Sequence, residues 1–291
     1  SVAPAALVRA GEADVIVVDA AGFVLLDEAG ARRTDTPVLR RLRGDEAARG
    51  LEGATASFIG VAGGRSVVAI ETSRDEVRGH WEHLRAVGWC LDGDDAALAL
   101  TALALAGWHA NYRHCPRCGA PVHLVSGGWA ARCETCDRLE YPRQDPAIIV
   151  LVQDHDGRVL LAHNALWQPG FVSIIAGYVE AGESPDVTVA REVAEEVGVD
   201  IETPTYVATQ PWPFGRSQMM GYRARTLEAH PTPQADGVEI EWARFYSREE
   251  LTRALESGEI SAPGRASIAY ALLREWYGAD LPSGPEGAGR K

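Results

Sequence analysis

Lysine is almost missing from this chain of 291 residues: Lys291 is the only one, and basic charge rests on arginine. Lysine and arginine together number 28 against 41 acidic residues, a net charge of -13 at pH 7. Such an acidic balance disfavours general electrostatic binding to nucleic acid or to an anionic membrane. Long apolar runs are also absent, and none approaches the roughly 20 residues needed to span a bilayer. The start, SVAPAALVRAGEADVIVVD, lacks a basic segment followed by an apolar core, so no secretory signal is expected. Cysteine is scarce, five in all. Four of the five stand in two close pairs and Cys90 stands alone, which argues against a disulfide framework and suits a metal site in a reducing, cytoplasmic setting. The remaining composition is ordinary for a globular protein, and the length allows two or three domains.

What is present is concentrated in a few stretches. Cys115-Pro-Arg-Cys118 and Cys133-Glu-Thr-Cys136 are separated by fourteen residues. Two C-x-x-C pairs at this spacing predict a zinc ribbon, one Zn²⁺ held by Cys115, Cys118, Cys133 and Cys136. Four thiolates leave no open coordination position, so this zinc is structural. His109 and His114 flank the motif and are expected to be structural. Arg113, Arg117, Arg132, Arg138 and Arg143 give the segment local basicity, which keeps a nucleic-acid role open; a folding staple is the plainer reading. Cys90, beside Trp89, reads as a packed thiol. Arg40, Arg41 and Arg43 read as solvated surface.

The chain around these pairs reads as alternating elements. Residues 14–19, 22–26, 57–61 and 66–70 are short apolar strands, with Gly63-Gly64 as a hairpin turn. Residues 76–90 and 94–111 read as helices. Beyond the cysteines, 147–153, 159–162, 171–176, 205–210, 219–226 and 242–246 read as strands, with helices at 248–257 and 267–277. The Pro/Gly-rich tail from 279 is expected to be disordered.

The densest chemistry lies at Gly177–Val199. Gly177 is followed by five residues and Glu183, then by seven residues and Arg191-Glu192-Val193-Ala194-Glu195-Glu196-Val197-Gly198-Val199. Ser184 and Pro185 predict a helix start and Gly198 its stop. Val187, Ala190, Val193, Ala194 and Val197 recur at helical spacing and predict a buried stripe. Glu192, Glu195 and Glu196 then share one side. Carboxylates so spaced repel one another; a cluster of hard oxygen ligands makes sense if Mg²⁺ or Mn²⁺ binds there. A solvated acidic face would explain a bare E-x-x-E-E, but not the added Gly, Glu, Arg and Gly at fixed offsets. Downstream, Gln210-Pro-Trp-Pro-Phe-Gly-Arg-Ser217 stiffens the backbone around aromatic faces that suit a flat heterocycle.

The 177–199 stretch resembles the Nudix box, G-x5-E-x7-R-E-U-x-E-E-x-G-U with U aliphatic, at every fixed position. Together with the zinc ribbon, the Tyr141-Pro-Arg-Gln-Asp-Pro link and the Q-P-W-P-F-x-x-S array, in this order, it resembles the bacterial NADH pyrophosphatase (NudC-type) family. The resemblance implies an α/β/α Nudix sandwich after a four-cysteine zinc ribbon and a β-rich N-terminal domain, with boundaries at 1–108, 109–142, 143–278 and a tail at 279–291. It implies a homodimer that cleaves NADH or NAD at the pyrophosphate, giving AMP and nicotinamide mononucleotide, and that in several members removes NAD caps from RNA 5′ ends. Carried over by position, Glu192 and Glu196 match metal-binding glutamates, with Glu195 in the same cluster and Ala176 as a backbone carbonyl ligand. Glu239 best matches the downstream metal glutamate, with Glu241 in competition. One of these glutamates is expected to act as general base, and Arg191 to hold a box glutamate by ion pairing. Tyr178, where many members have phenylalanine, would sandwich the nicotinamide with Trp212. Tyr141, Gln210, Pro211, Pro213, Phe214, Gly215, Arg216, Ser217 and Ala269 match substrate-contacting positions. Gly215 stands where the family usually has proline, which bears on nucleotide selectivity. The alternatives are a relative acting on ADP-ribose or a dinucleoside polyphosphate, and a nucleotide-sensing or nucleic-acid-binding regulator. A regulator would be expected to have lost box carboxylates, and all are present.

Overall fold

A computed structural model describes residues 3–27 and 36–284. The chain divides into two compact units, Ser1–Gln144 with Trp212–Arg216, and Asp145–Pro211 with Ser217–Lys291.

The first unit is built on β1 (Ala13–Asp19), whose apolar run is buried on both faces. A continuous apolar strand of this kind is what a covered central strand requires. It pairs in parallel with β4 (Arg65–Glu71) and antiparallel with β2 (Phe23–Leu26). The sheet order is β3 (Thr55–Ala62), β4, β1, β2, β5 (His80–His83). Gly63 and Gly64 turn β3 into β4 with φ of +56° and +76°, left-handed values that favour glycine. On one face Ile16 and Val18 meet the long helix α4 (Gly93–Asn111) through Leu98, Ala99 and Ala102. On the other, Val15 and Val17 pack with Val8 of α1 (Pro4–Arg9) and Ala47 of α2 (Gly44–Gly50).

The helix expected over 76–90 is a correction. Strand β5 occupies its middle, paired with β2 from Phe23↔His83 to Leu26↔His80, and only Leu84–Val87 (α3) is helical. Gly79 allows the departure: its φ is +157°, and a Cβ there would lie 2.7 Å from Leu25 Cδ1. Sheet pairing overrides local helix preference. The ribbon adds three short antiparallel strands, β6 (Val122–Val125), β7 (Ala130–Cys133) and β8 (Leu139–Glu140).

In the second unit, β9 (Asp145–Gln153) is central. It pairs with β10 (Val159–Asn164) and β11 (Ile175–Tyr178) antiparallel and with β13 (Ser217–Arg225) in parallel. The path through the sheet is β12 (Thr205–Trp212), β13, β9, β10, β14 (Ile240–Tyr246). Alternation along β9 divides the core. Ile148, Val150 and Val152 meet Val189, Val193 and Val197 of α5 (Pro185–Val197). Ile149 and Leu151 meet Leu251 and Leu255 of α6 (Arg248–Ser257) and Leu272 and Leu273 of α7 (Ile268–Tyr277). These are the two helical layers of an α/β/α sandwich. Burying each such aliphatic side chain stabilises by about 1.5–3 kcal/mol relative to leaving it exposed.

Two boundaries differ from expectation. The strand expected at 171–176 begins at Ile175, with single bridges at Phe171 and Ser173 before it. The tail expected to be disordered from 279 contains Leu281, buried in the α6–α7 core; residues 285–291 of that expectation lie outside the described residues.

Candidate functional site

Strand β11 delivers Gly177 and Tyr178 alongside β9, opposite Ile148 and Ala147. Gly177 is dictated by a close approach. A Cβ there would stand 2.0 Å from Oε1 of Glu192, a separation no side chain tolerates. The loop then enters α5, which starts after Ser184 and ends in the left-handed Gly198, φ +63°. Ser184 makes no side-chain cap bond. The Thr188 hydroxyl instead donates to Glu183 at 2.7 Å.

The buried stripe of α5 is a second correction. It runs through Thr188, Val189, Val193, Glu196 and Val197, whereas Ala190 and Ala194 are exposed and Val187 is 54% exposed. Alanine suits either face of a helix, so spacing alone left the rotation of the helix open. The rotation matters because it turns Glu196 inward, to 6% exposure.

Arg191 organises the carboxylates around it. Its Nε and Nη2 donate to the two oxygens of Glu183 at 2.8 and 3.0 Å, and Nη2 also donates to the Tyr178 carbonyl at 3.1 Å. Its Nη1 lies 3.0 Å from both Glu192 and Glu195. The paired guanidinium, with the Thr188 hydroxyl, holds the Glu183 carboxyl down to about 2. Glu196 behaves oppositely. Burial first, then the charges of Glu192, Glu239, Asp236 and Glu195, push it up to about 8. Burial also raises Glu192, against the pull of Arg191.

The structure separates the two downstream glutamates. The Asp236 carboxylate accepts backbone N–H groups from Val238, Glu239 and Ile240 at 2.8–3.2 Å, a turn that sets Glu239 just ahead of β14. Glu239 acts on both Glu192 and Glu196. Glu241 lies 3.6 Å from His163 instead. Sequence reasoning missed Asp236; its signal was the Asp-Gly pair ahead of the strand. Among the described residues, no three of these carboxylates gather within 4.8 Å of one another. Asp154, Asp156 and His230 do come that close, but Asp154 is already engaged by Arg158 at 2.6 Å.

The substrate-contact positions scatter by role. Tyr178 is 56% exposed and its hydroxyl is 3.3 Å from the buried Ser217. The Gln210 amide is committed to α7: it donates to the Ala266 carbonyl at 2.8 Å and accepts from Ile268 N at 2.7 Å. Ala269 is buried in the core of the second unit. Tyr141 is 56% exposed and belongs to the first unit, as do Trp212 to Arg216, so Trp212 and Tyr178 fall in different units. Trp212 and Phe214 pack edge to face at 4.9 Å across Pro213. The left-handed residue of their loop is Arg216, φ +64°, not Gly215.

The four cysteines converge. Sγ–Sγ separations are 3.5 Å for Cys118–Cys133, 3.6 Å for Cys115–Cys136 and 3.7 Å for Cys118–Cys136. A tetrahedron with Zn–S of about 2.3 Å has edges of about 3.8 Å, so the donor set fits zinc. The backbone N–H groups of Thr135 and Cys136 donate to Cys133 Sγ at 3.4 Å and favour its thiolate. His109 bonds to the Gly128 carbonyl at 2.8 Å and is no ligand. The local basicity is largely neutralised: Arg132 pairs with Asp137, and Arg138 and Arg143 both pair with Glu140. Arg40, Arg41 and Arg43 are likewise paired, with Glu46, Asp95 and Asp14. Cys90 is half-buried, its thiol donating to the Val87 carbonyl at 3.1 Å, and burial raises its pKa.

Comparison with known proteins finds two family matches. Residues 110–141 match the NADH pyrophosphatase zinc ribbon domain and residues 143–268 match the NUDIX domain. Over 235 residues the chain is 37% identical to a protein named NAD-capped RNA hydrolase NudC from Mycobacterium bovis (strain ATCC BAA-935 / AF2122/97), covering 76% of this chain and 75% of that one. A protein of the same name from Stutzerimonas stutzeri is 39% identical over 217 residues, 75% of this chain and 74% of its own. The mouse protein named NAD(P)H pyrophosphatase NUDT13, mitochondrial, is 34% identical over 213 residues, 69% of this chain and 60% of its own.

Proposed function

The chain belongs to the NudC family of Nudix hydrolases, and from that premise we propose that it cleaves the pyrophosphate of NADH or NAD, giving AMP and the reduced or oxidised nicotinamide mononucleotide. NAD-capped RNA is a further substrate of the same reaction, since the cap presents the same pyrophosphate. The observation that carries this reading is the Glu192–Glu196 pair on α5, turned inward and raised in pKa by burial and by Glu239. Carboxylates forced together in this way favour a cation as their partner. Glu192, Glu195, Glu196 and Glu239, with the Ala176 carbonyl, are the residues that would hold Mg²⁺ or Mn²⁺. Bound there, the ion would neutralise phosphoryl charge and would lower the pKa of a water.

The chain's own residues do the rest. One of the four glutamates takes the proton from the attacking water. Arg191 orients Glu192 and Glu195 while anchoring the loop through Glu183. Tyr178 and Trp212 recognise the nicotinamide ring, and Tyr141 with the Pro211–Ser217 stretch contacts the substrate. Gln210 acts through the α7 N-terminus, because its amide is already bonded there. The ribbon zinc staples the fold. The four thiolates need a reducing compartment, which supports the cytoplasm. No helix of the described residues is long and apolar enough to cross a membrane. The family resemblance supports a homodimer.

The test is product analysis with Mg²⁺ or Mn²⁺, offering NADH, NAD, ADP-ribose and NAD-capped RNA side by side, with Glu196→Gln as control. AMP plus reduced nicotinamide mononucleotide from NADH, lost in the variant, is the expected result. Cleavage of ADP-ribose alone would replace the substrate assignment. No cleavage at all, in protein that holds its zinc, would overturn the reading.

A further inference from the structure

The first unit holds an aromatic stack that the reaction does not explain by itself. His83, the last residue of β5, lies flat on Phe214, with centroids 5.0 Å apart and planes at 29°. Phe23 meets the same imidazole edge to face at 5.0 Å. Phe214 in turn supports Trp212, and the Arg85 guanidinium lies 4.6 Å from the Phe214 ring centre and 5.5 Å from that of Trp212. The backbone makes room for this contact. At Gly22, φ is +103°, and a Cβ would stand 2.6 Å from His83 Nε2 and 3.0 Å from Phe214 Cε1. The imidazole is held in orientation because its Nδ1 accepts the Arg85 backbone N–H at 3.1 Å. Burial and the nearby Arg85 lower the His83 pKa from its ordinary value.

We propose that the N-terminal unit sets nicotinamide selectivity by gripping the Trp212–Phe214 turn, with His83 as the positioning residue and Gly22 and Arg85 as its supports. The inference rests on the reading of Trp212 as a ring-recognition residue. It gives the β-rich unit a function in substrate choice. A flexible Trp212 would have to be ordered each time a ring stacks on it; one already packed on Phe214 and His83 has lost that freedom before substrate arrives. The pyrophosphate chemistry runs through the glutamates of the other unit, so the effect belongs in KM for ring-bearing substrates.

The test exploits the two jobs of His83. His83→Asn can still cap α3, since asparagine is a good N-cap, but removes the ring. His83→Phe keeps a ring and loses the cap. KM and kcat for NADH are measured in both, together with the inhibition constant of ADP-ribose, which lacks the pyridine ring and competes whether or not it is cleaved. With His83→Asn, selectivity for NADH over ADP-ribose is expected to fall about three- to tenfold, the size of one lost aromatic pair, through KM. His83→Phe is expected to retain most of it. Should His83→Asn fail to fold, Phe214→Leu asks the same question from the other ring. Trp212→Ala separates the two layers of inference. If it lowers selectivity while His83→Asn and Phe214→Leu do not, positioning is wrong and ring recognition stands. If Trp212→Ala leaves selectivity intact, both are overturned. A loss in His83→Phe that His83→Asn does not share would reduce His83 to a helix cap and sink the proposal.

Discussion

At the scale of single residues, the box is a set of mutual constraints. Glu183 is the partner of Arg191, and the low pKa of its carboxyl reports how firmly that pair is made. Arg191 then reaches Glu192 and Glu195, so one guanidinium positions three carboxylates. Gly177 exists because Glu192 passes over it. Gly177→Ala therefore cannot leave Glu192 in place. The clash is with the end of a side chain, which moves more cheaply than backbone, so melting temperature should change little. Hydrolysis should drop about 100-fold, the scale on which a 1 Å misplacement of a reacting group acts. Steady-state kinetics alongside thermal melting checks this; unimpaired kcat in the alanine variant would mean that Glu192 can work from another position.

At the scale of elements, α5 and the ribbon divide the metal chemistry between them. The ribbon is three short strands with little apolar area, and such a module leans on its metal; structural zinc contributes apparent binding free energies of about 10–16 kcal/mol in small domains. Its four thiolates leave no position for substrate. Removing zinc with a strong thiol-competing chelator, or replacing Cys118 by serine, should lower zinc content from one per chain and lower melting temperature. Activity should be lost in step with folding, and added Mg²⁺ should not restore it. Metal analysis by mass spectrometry, melting curves and activity on the same samples check the link. Zinc-free protein with full activity and unchanged melting would remove the staple role. Helix α5 shows where periodicity was insufficient. Val193 and Val197 were legible as buried, but two alanines allowed a rotation that left Val189 out and set Glu196 on one side with Glu192 and Glu195. Packing against β9 chose the other rotation. At β5 the missing information was long-range: a strand 54 residues or more away in sequence, β2, pairs with residues that locally read as helix.

At the scale of the molecule, a net charge of -13 meets a site that concentrates negative charge further. The folded chain holds Glu196 well above its ordinary carboxylate range, at about 8, whereas the unfolded chain does not. Raising the pH from about 5 to 8 in metal-free protein therefore ionises Glu196 more easily in the unfolded state. The stability that the neutral carboxyl contributes is present at the acid end and is lost across this window. Melting temperature of the Mg²⁺-free protein should fall over that range, and Glu196→Gln should flatten the fall. A divalent ion that binds only the folded site should raise stability at pH 8 by about 2.7 kcal/mol at a hundredfold excess over its dissociation constant. Melting curves with and without Mn²⁺, at both ends of the window, test the sign; a wild-type profile parallel to that of Glu196→Gln would refute it.

Much of the site was legible because its chemistry sets covalent spacing. C-x-x-C pairs must fold two thiolates onto one ion, and a helix must present glutamates three and four residues apart, so both patterns survive in the linear chain. From them and from the downstream array follow the ribbon, the Nudix fold and the metal-dependent hydrolase. The tertiary structure decided what depends on residues far apart in sequence. Glu239 bears on the box glutamates and Glu241 lies against His163, because Asp236 turns the chain before β14. Gln210 is bound to α7 and is not left free. Glu196 is buried by the rotation of α5. Trp212 belongs with His83 and Phe214, through contacts that span more than a hundred residues. No local pattern encodes such choices, because the energy that makes them is packing and charge between segments, which exists only once the chain has folded.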